Sequence, residues 1–298
     1  MQRWTAEPSV GPRCRLGEGP LWDAAAQRVR WVDIVAGTVL SARLDGSCLL
    51  DVSCHRVDAT VGAVALADDG GLLVAGTKAL VHLRPDGSRA VGPALLPDGP
   101  SRLNDAQVDP SGAVVVGSLS RDGCTGREVL LRVGPDGAVT VLDDDLTLSN
   151  GLGWSPDGRT FYSIDSGPGL LWRRPWDPAT GAAGPRSLLV RFDDATPDGM
   201  CVDAEGRLWV AMWGAGQVRC LGPDGHLLGV VEVAAAHTTS CAFVGPALDV
   251  LLVTTATDEL GEQQRRDTPA SGRLFTARVG ATGRLPTPWC STTGRGRG

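Results

Sequence analysis

The sequence predicts an all-β fold, a six-bladed β-propeller whose four-stranded blades surround a central channel. Three observations predict it: one layout repeats six times, the strands in each copy are short, and helical periodicity is nearly absent. The 298 residues include 40 glycines and 20 prolines, which separate the apolar segments at regular intervals. A repeat of about 45 residues that holds several strands is typical of a propeller blade.

Each copy contains an apolar strand, a turn of Gly, Asp or Pro, a second apolar strand and then one or two more. The residue at which a copy begins is called here its leading residue. The six leading residues are Glu18, Gly62, Asn104, Asn150, Asp198 and Ser240. Successive leading residues are 44, 42, 46, 48 and 42 positions apart. This regular step disfavours the rival architecture, a β-sandwich or two stacked β-domains.

The second strands are short and rich in β-branched and aromatic residues, as strands are. They are predicted at 29–33, 72–76, 113–117, 160–164, 208–212 and 250–254. Several third strands end at Asp-Gly turns, which suit hairpins because Gly adopts positive φ without strain. We expect one domain over 1–298, with segment 3–15 supplying the outer strand of the last blade and 291–298 forming a flexible tail.

The composition excludes several classes of partner. The net charge is −6, which argues against nucleic acid and anionic membranes as partners. The first ten residues lack the apolar core of a signal peptide, and no apolar run reaches the roughly 18 residues that span a bilayer. The eight cysteines form no C-x-x-C pair. We expect a reduced, cytoplasmic protein that is a monomer or a weak homo-oligomer.

Four of the six leading residues carry a side-chain oxygen suited to a hard cation. They are Glu18, Asn104, Asn150 and Asp198, and the two asparagines are the only ones in the chain. In a propeller the first strand of each blade lines the channel, so these side chains should meet at one mouth. Carboxylate and amide oxygens suit Ca²⁺, Mg²⁺ or Mn²⁺. The alternative is that Asn and Asp next to Gly only form turns.

Other side chains could complete such a site. Arg102 precedes Asn104 by two positions, so it shares a strand face with Asn104 and can bind substrate hydroxyls or a carboxylate. Its alternative role is a salt bridge at the rim, with Asp105 or Asp98 as the partner. Trp213 is the best candidate for a pocket wall, and His237 is a candidate for the pocket lining. His82 and His226 flank turns and are expected to be exposed.

Familiar catalytic motifs are missing from the sequence. No serine lies in G-x-S-x-G, which argues against a hydrolase with a nucleophile elbow. No G-x-G continues to a third glycine and a helix, so no dinucleotide loop is predicted. The histidines show no zinc-binding spacing.

Eight stretches, taken in order, resemble the gluconolactonase/regucalcin (senescence marker protein) family of sugar-lactone hydrolases. They are LGEGPLW at 16–22, RLND at 102–105, VDP at 108–110, LSNGLGWSPDG at 148–158, PDGM at 197–200, VDAEGRLW at 202–209, TSCAF at 239–243 and SGRLF at 271–275. Each motif is only moderately specific, but the ordered set extends over residues 15 to 288. The resemblance implies a six-bladed propeller with one divalent cation in its channel.

By the same resemblance, the metal ligands correspond to Glu18, Asn150 and Asp198, and the substrate contacts to Arg102 and Asn104. Asp198 also matches the proposed general base. The cation would be Ca²⁺, Zn²⁺, Mn²⁺ or Mg²⁺. The expected reaction is hydrolysis of a sugar-acid lactone to the aldonic acid. Two alternatives stay open: a phosphotriesterase-like hydrolase that uses the same metal site, and a non-catalytic calcium-binding regulator or scaffold.

Overall fold

The structure is a computed structural model that describes residues 1–291. The predicted fold is confirmed: six sheets, each built on four antiparallel strands, form a six-bladed β-propeller. The predicted flexible tail lies outside the described residues from position 292 onward. The chain starts with two short strands, β1 (Gln2–Thr5) and β2 (Glu7–Pro8).

The blades then follow one another along the chain. Blade 1 contains β3 (Gly17–Asp23), β4 (Arg28–Asp33), β5 (Thr38–Asp45) and β6 (Cys48–Arg56). Blade 2 contains β7 (Ala63–Leu66), β8 (Leu72–Ala75), β9 (Ala79–Leu83) and β10 (Arg89–Ala94). Blade 3 contains β11 (Ser101–Val108), β12 (Val114–Ser120), β13 (Glu128–Val133) and β14 (Val139–Leu146).

The second half of the ring repeats this order. Blade 4 contains β15 (Ser149–Trp154), β16 (Thr160–Asp165), β17 (Leu170–Pro175) and β18 (Ser187–Arg191). Blade 5 contains β19 (Thr196–Val202), β20 (Leu208–Trp213), β21 (Gln217–Leu221) and β22 (Leu227–Glu232). Blade 6 contains β23 (His237–Val244), β24 (Val250–Ala256) and β25 (Phe275–Ala277).

The first residues of the chain complete the last two blades. Strand β2 pairs antiparallel with β25 and is the fourth strand of blade 6, while β1 pairs in parallel with β22 as a fifth strand of blade 5. A short helix, α1 (Glu262–Asp267), lies in the connection between β24 and β25. Six residues are too few to produce a helical period in the sequence, so this helix was not predicted. Within residues 1–291, no helix has the length and apolar character needed to cross a bilayer.

The hydrophobic core lies between adjacent blades. Trp209 of blade 5 packs with Phe243 and Phe275 of blade 6 in one such cluster. Every residue of β24 is buried, because blade faces are covered on both sides by their neighbours. The blades therefore hold their first strands rigidly around the channel.

The C-terminal strap, residues 279–291, closes one mouth of the channel. It forms hydrogen bonds with hairpin turns of blades 6, 5, 4, 3 and 2, for example from Trp289 N to Leu66 O at 2.7 Å. The expectation that His82 is exposed is wrong. His82 is buried, with its Nε2 3.1 Å from Asp69 Oδ2, and its ring meets the Trp289 ring edge-on at 5.1 Å. His82 flanks a turn in the sequence and would be exposed there, but the strap covers it.

Candidate functional site

Four polar side chains stand at the mouth of the channel that the strap does not cover. They are termed the polar ring: Glu18, Asn104, Asn150 and Asp198, on blades 1, 3, 4 and 5. Each is buried, with between 4% and 7% of its surface exposed. The leading residues of the other two blades are Gly62 and Ser240. Burial of four polar groups at equivalent positions is unusual for residues that only form turns.

A β-bulge explains how the strands direct these side chains. The pairing of first and second strands shifts register at the same place in five blades. The shifts lie between Glu18 and Leu21, Leu103 and Ala106, Asn150 and Leu152, Pro197 and Met200, and Thr238 and Ser240. Only β7, which contributes no polar ring residue, pairs with its second strand without a shift. Bulges re-aim side chains, and they occur often beside functional sites.

Glycines such as Gly62 and Gly199 allow the first strands to approach one another closely. A Cβ atom added to Gly62 would lie 2.3 Å from the backbone oxygen of Asn104. A Cβ atom added to Gly199 would lie 2.3 Å from Ser240 Oγ. Side chains at these two positions would push apart the strands that carry the polar ring. Packing therefore requires glycine at position 199, directly after Asp198.

A chain of hydrogen bonds connects three blades around the mouth. Arg102 Nη1 donates to Asn104 Oδ1 at 2.7 Å, and Asn104 Nδ2 donates to Asn150 Oδ1 at 3.0 Å. Asn150 Nδ2 in turn donates to Ser166 Oγ at 3.0 Å, and this hydroxyl donates to Pro197 O at 2.6 Å. Each amide is held in one orientation by partners on both of its ends. Sequence reasoning missed Ser166, because nothing in its local pattern marks it.

The two ring carboxylates are electrostatically strained. Burial raises the pKa of Glu18 well above its ordinary value, and the nearby charges of Asp198 and Asp105 raise it further. Burial also raises the pKa of Asp198 well above its ordinary value, again with a contribution from Asp105. Among the groups around the two carboxylates, Arg102 and a few hydrogen-bond donors favour the charged forms. A positive charge between these carboxylates would relieve that strain.

Asp105 is a third carboxylate at the site that sequence reasoning placed only as a salt-bridge partner. Strand alternation would turn it away from Asn104, but the bulge in β11 brings it towards the channel. Burial raises the pKa of Asp105 to about 7. Asp105 is partly exposed and lines the channel cavity.

Arg102 is buried rather than part of an exposed rim. Its Nη1 donates to Leu103 O at 2.9 Å as well as to Asn104. The other guanidinium nitrogens make no hydrogen bond with residues 1–291, and the suggested salt bridges to Asp98 or Asp105 do not form within this part of the chain. Burial lowers the pKa of Arg102 to about 10, so the group stays charged at neutral pH. Arg102 therefore has donors free for a ligand.

A cavity of about 360 Å³ occupies the channel between the polar ring and the strap. Its walls include Gly19, Asp105 and Ser240 near the ring, and strap residues 283–287 at the far end. The cavity is thus next to the ring but does not itself contain the ring side chains. A ligand from solvent would reach the ring from the uncovered mouth.

The donor set of the ring suits a hard divalent cation. Glu18 and Asp198 offer carboxylate oxygens, and Asn150 Oδ1 keeps a second lone pair beside the one used by Asn104. Among residues 1–291 no cluster of three or more His, Cys, Asp or Glu side chains is arranged to hold a metal ion. Any cation here would therefore depend on the amide oxygen. This chemistry favours Ca²⁺, Mg²⁺ or Mn²⁺ over Zn²⁺.

Comparisons with known proteins agree with this geometry. Residues 16–257 match the model of the SMP-30/gluconolactonase/LRE-like region. A pentonolactonase of Haloferax volcanii is 36% identical over 281 residues, which cover 92% of this chain and 94% of that protein. A 6-deoxy-6-sulfogluconolactonase of Pseudomonas putida is 34% identical and covers 93% of this chain and 94% of its own.

The solved structures give the same result. A regucalcin from Agrobacterium tumefaciens, described as a calcium-binding protein, superimposes with a TM-score of 0.90. The two chains are 29% identical, and the match covers 97% of this chain and 99% of the other. The likeness therefore includes every blade.

Proposed function

The chain belongs to the SMP-30/gluconolactonase/LRE-like family, and we propose that it is a lactonase that hydrolyses a sugar-acid lactone to the aldonic acid with the help of one divalent cation. The observation that carries the proposal is the polar ring: four buried oxygen-bearing side chains at the open mouth, two of them carboxylates with raised pKa values. A scaffold has no need of such a cluster, which costs stability. Relatives named for lactonase activity support the reaction type.

In this proposal Glu18, Asn150 and Asp198 hold the cation. When bound, the cation supplies Lewis-acid chemistry, which favours attack on the lactone carbonyl. The calcium-binding description of the Agrobacterium regucalcin supports a divalent cation, and the oxygen donor set favours a hard one. Zn²⁺ is the least suited of the four candidates.

Asp198 is the proposed general base. It takes a proton from the attacking water and is fixed by its place in the bulge of β19, so its position contributes as much as its basicity. The hydrogen-bond chain that ends at Pro197 O holds the residue before it. A lactone is an activated ester, so a base weakened by a neighbouring cation is sufficient.

Arg102 and Asn104 are the proposed substrate contacts. Asn104 Nδ2 is already bound to Asn150, which leaves the free guanidinium nitrogens of Arg102 to donate to substrate oxygens. Because Arg102 and Asn104 are themselves hydrogen-bonded, the substrate meets a preorganised surface. The partner is a small molecule. The cytoplasmic location and the monomeric or weakly oligomeric state remain predictions from the sequence.

The test uses purified protein with a panel of sugar lactones and a phosphotriester. Ring opening is followed with a pH indicator, before and after chelation with verified metal loss, and again after the cation is restored. We expect hydrolysis of at least one lactone, its loss on chelation and its recovery on re-addition. Hydrolysis of the phosphotriester alone would favour the phosphotriesterase alternative. Cation binding without any turnover would favour a calcium-binding regulator.

A further inference from the structure

A stacked pair of aromatic side chains stands beside the polar ring. Trp213 ends β20 and His237 begins β23, and their ring centroids are 3.9 Å apart with an angle of 5° between the planes. The backbone of Trp213 pairs with Thr196, two positions before Asp198. The pair therefore lies at the open mouth, where blades 5 and 6 meet, next to the proposed base.

His237 lacks the hydrogen bonds that a buried imidazole needs. Only 6% of the residue is exposed, and Nδ1 is buried without a partner. Neither ring nitrogen forms a hydrogen bond with any side chain or backbone group in residues 1–291. A neutral imidazole always has one N–H donor and one acceptor nitrogen, and an unmet buried donor costs free energy.

Inter-blade packing alone does not account for this. His82 is buried to the same extent and also contacts a tryptophan ring, yet the fold provides it with Asp69 as a partner. Nδ1 is buried, whereas Nε2 has no hydrogen-bond partner within residues 1–291 and is not among the buried unpartnered atoms. A ligand at the open mouth is therefore well placed to bond Nε2.

The surroundings of His237 indicate an uncharged ligand group. Burial lowers the pKa of His237, and the nearby carboxylate of Glu259 only partly opposes this, so the imidazole is neutral at pH 7. A neutral ring offers no charge to a sulfonate or phosphate, and Glu259 repels one. Trp213 is only half-buried, which leaves part of its apolar indole exposed.

We propose that Trp213 and His237 form a substrate-recognition wall, in which His237 hydrogen-bonds an uncharged hydroxyl on the ring substituent of the lactone and Trp213 packs against its carbon skeleton. The proposal rests on the lactonase function proposed above. The wall selects uncharged, hydroxylated lactones over deoxy lactones and over lactones with an anionic substituent. Pockets commonly combine an aromatic surface with a few polar groups in this way.

The test compares three substrates: an aldonolactone with a hydroxylated substituent, the matching deoxy lactone, and a lactone with a sulfonate in place of that hydroxyl. His237→Phe keeps an aromatic ring against Trp213 but removes both nitrogens. We expect it to lower kcat/KM for the hydroxylated lactone about fivefold, mainly through KM, and to leave the deoxy lactone nearly unchanged. His237→Gln, which restores a donor and an acceptor, should recover part of the loss.

Two controls separate recognition from structure. His226 is exposed at a turn, so His226→Phe should leave kcat/KM unchanged for both the hydroxylated and the deoxy lactone. Trp213→Leu should raise KM for both the hydroxylated and the deoxy lactone, since it removes apolar contact rather than a hydrogen bond. Melting temperatures of all variants show whether each is folded. If His237→Phe does not fold, His237→Gln is used to test the role of the imidazole.

The outcomes distinguish this inference from the proposed function. If the wild-type protein opens no lactone, the lactonase proposal itself fails. If it opens lactones but His237→Phe and His237→Gln discriminate among the three substrates as wild type does, the recognition wall is refuted. A wild-type preference for the sulfonated lactone would also refute it.

Discussion

The two mouths of the channel are made by the same six blades but are stabilised differently. At the open mouth, bulged strands direct buried carboxylates and amides towards one another, and burial raises the pKa of Glu18 and Asp198. At the closed mouth, regular hairpin turns hold the strap through backbone hydrogen bonds, such as that from Cys290 N to Gly112 O at 3.0 Å. One mouth contains unfavourable charge, whereas the other contains satisfied polar groups.

This difference assigns the two mouths of the propeller different roles: the open mouth bears on activity and the closed mouth on stability. Carboxylates that are buried near one another destabilise a fold unless something compensates them, and such strain is common at functional sites. The strap has no such conflict and connects five blades. Substitutions at the open mouth should therefore affect activity first, and substitutions at the closed mouth should affect stability first.

The largest expected effect is that of Asp198→Asn. The amide has nearly the same shape and still offers an oxygen, but it cannot accept the proton of the attacking water. We expect kcat to fall at least about 10²-fold, the lower end of what general-base catalysis supplies. Because one buried charge is removed, the metal-free variant should be no less stable than metal-free wild type at pH 7.5.

A matched change at the other mouth is the control. Asp68 accepts hydrogen bonds from Ser291 N at 2.9 Å and Ser291 Oγ at 2.7 Å, so Asp68→Asn should weaken the strap and leave kcat unchanged. If Asp198→Asn hydrolyses lactones at nearly the wild-type rate with metal bound, Asp198 is not the base. Another carboxylate, such as Glu18, would then have to take the proton.

Cation binding should stabilise the protein more at neutral than at acidic pH. The folded pKa values of Glu18, Asp198 and Asp105 are raised, that of Asp105 to about 7. Raised pKa values stabilise the metal-free fold below about pH 4, where these groups are protonated in both states, and this stability is lost as the pH rises towards 7. A cation that binds the charged forms offsets the loss.

We expect about 2.7 kcal/mol of stabilisation at a cation concentration of 100 Kd and pH 7.5. The gain should be smaller at pH 5 at the same cation concentration. Melting temperatures with and without chelator at the two pH values, with metal content measured, provide the test. An equal or larger gain at pH 5 would contradict the assignment of buried carboxylates as the binding groups.

At the closed mouth, Trp289→Ala should lower the free energy of unfolding by about 2 kcal/mol. Tryptophan-to-alanine changes in a core cost about 3–5 kcal/mol, and Trp289 is only half-buried against the cluster of blades 2 and 3. The folded variant should retain wild-type kcat and KM. Trp172→Ala is the matched control, since Trp172 stacks with Arg186 away from both mouths. This substitution should lower the free energy of unfolding by less than Trp289→Ala does. Denaturant unfolding measures both, and a larger loss for Trp172→Ala would contradict the strap's role.

The open mouth was more predictable from the sequence than the closed one. The ring residues repeat at a fixed phase, so local pattern and fold together place Glu18, Asn104, Asn150 and Asp198 near one channel end. The strap has no internal repeat, and its contacts join positions far apart in the chain. His82 was therefore expected to be exposed, although Trp289 covers it.

Bulges also limit what a sequence can reveal. Strict alternation along β11 would turn Asp105 away from the side chains of Asn104 and Arg102, yet the register shift after Leu103 brings it to the channel. No residue type marks a bulge of this kind. Alternation correctly predicts that Arg102 lies beside Asn104. It does not predict that Arg102 is buried, because burial depends on the neighbouring blades.

Arg102→Ala should have the smallest effect on activity, and it separates substrate binding from catalysis at the open mouth. The proposed role of Arg102 is to hold the substrate, so KM should rise about tenfold while kcat changes less, equivalent to about 1.4 kcal/mol. Arg102→Lys keeps the charge but loses the fork of donors, and should recover only part of the binding. Arg102 also donates to Asn104, so the substitution removes one hydrogen bond of the amide network as well. Steady-state kinetics at saturating cation separates the two effects: a fall in kcat as large as that of Asp198→Asn would mean that Arg102 acts on the chemical step rather than on binding.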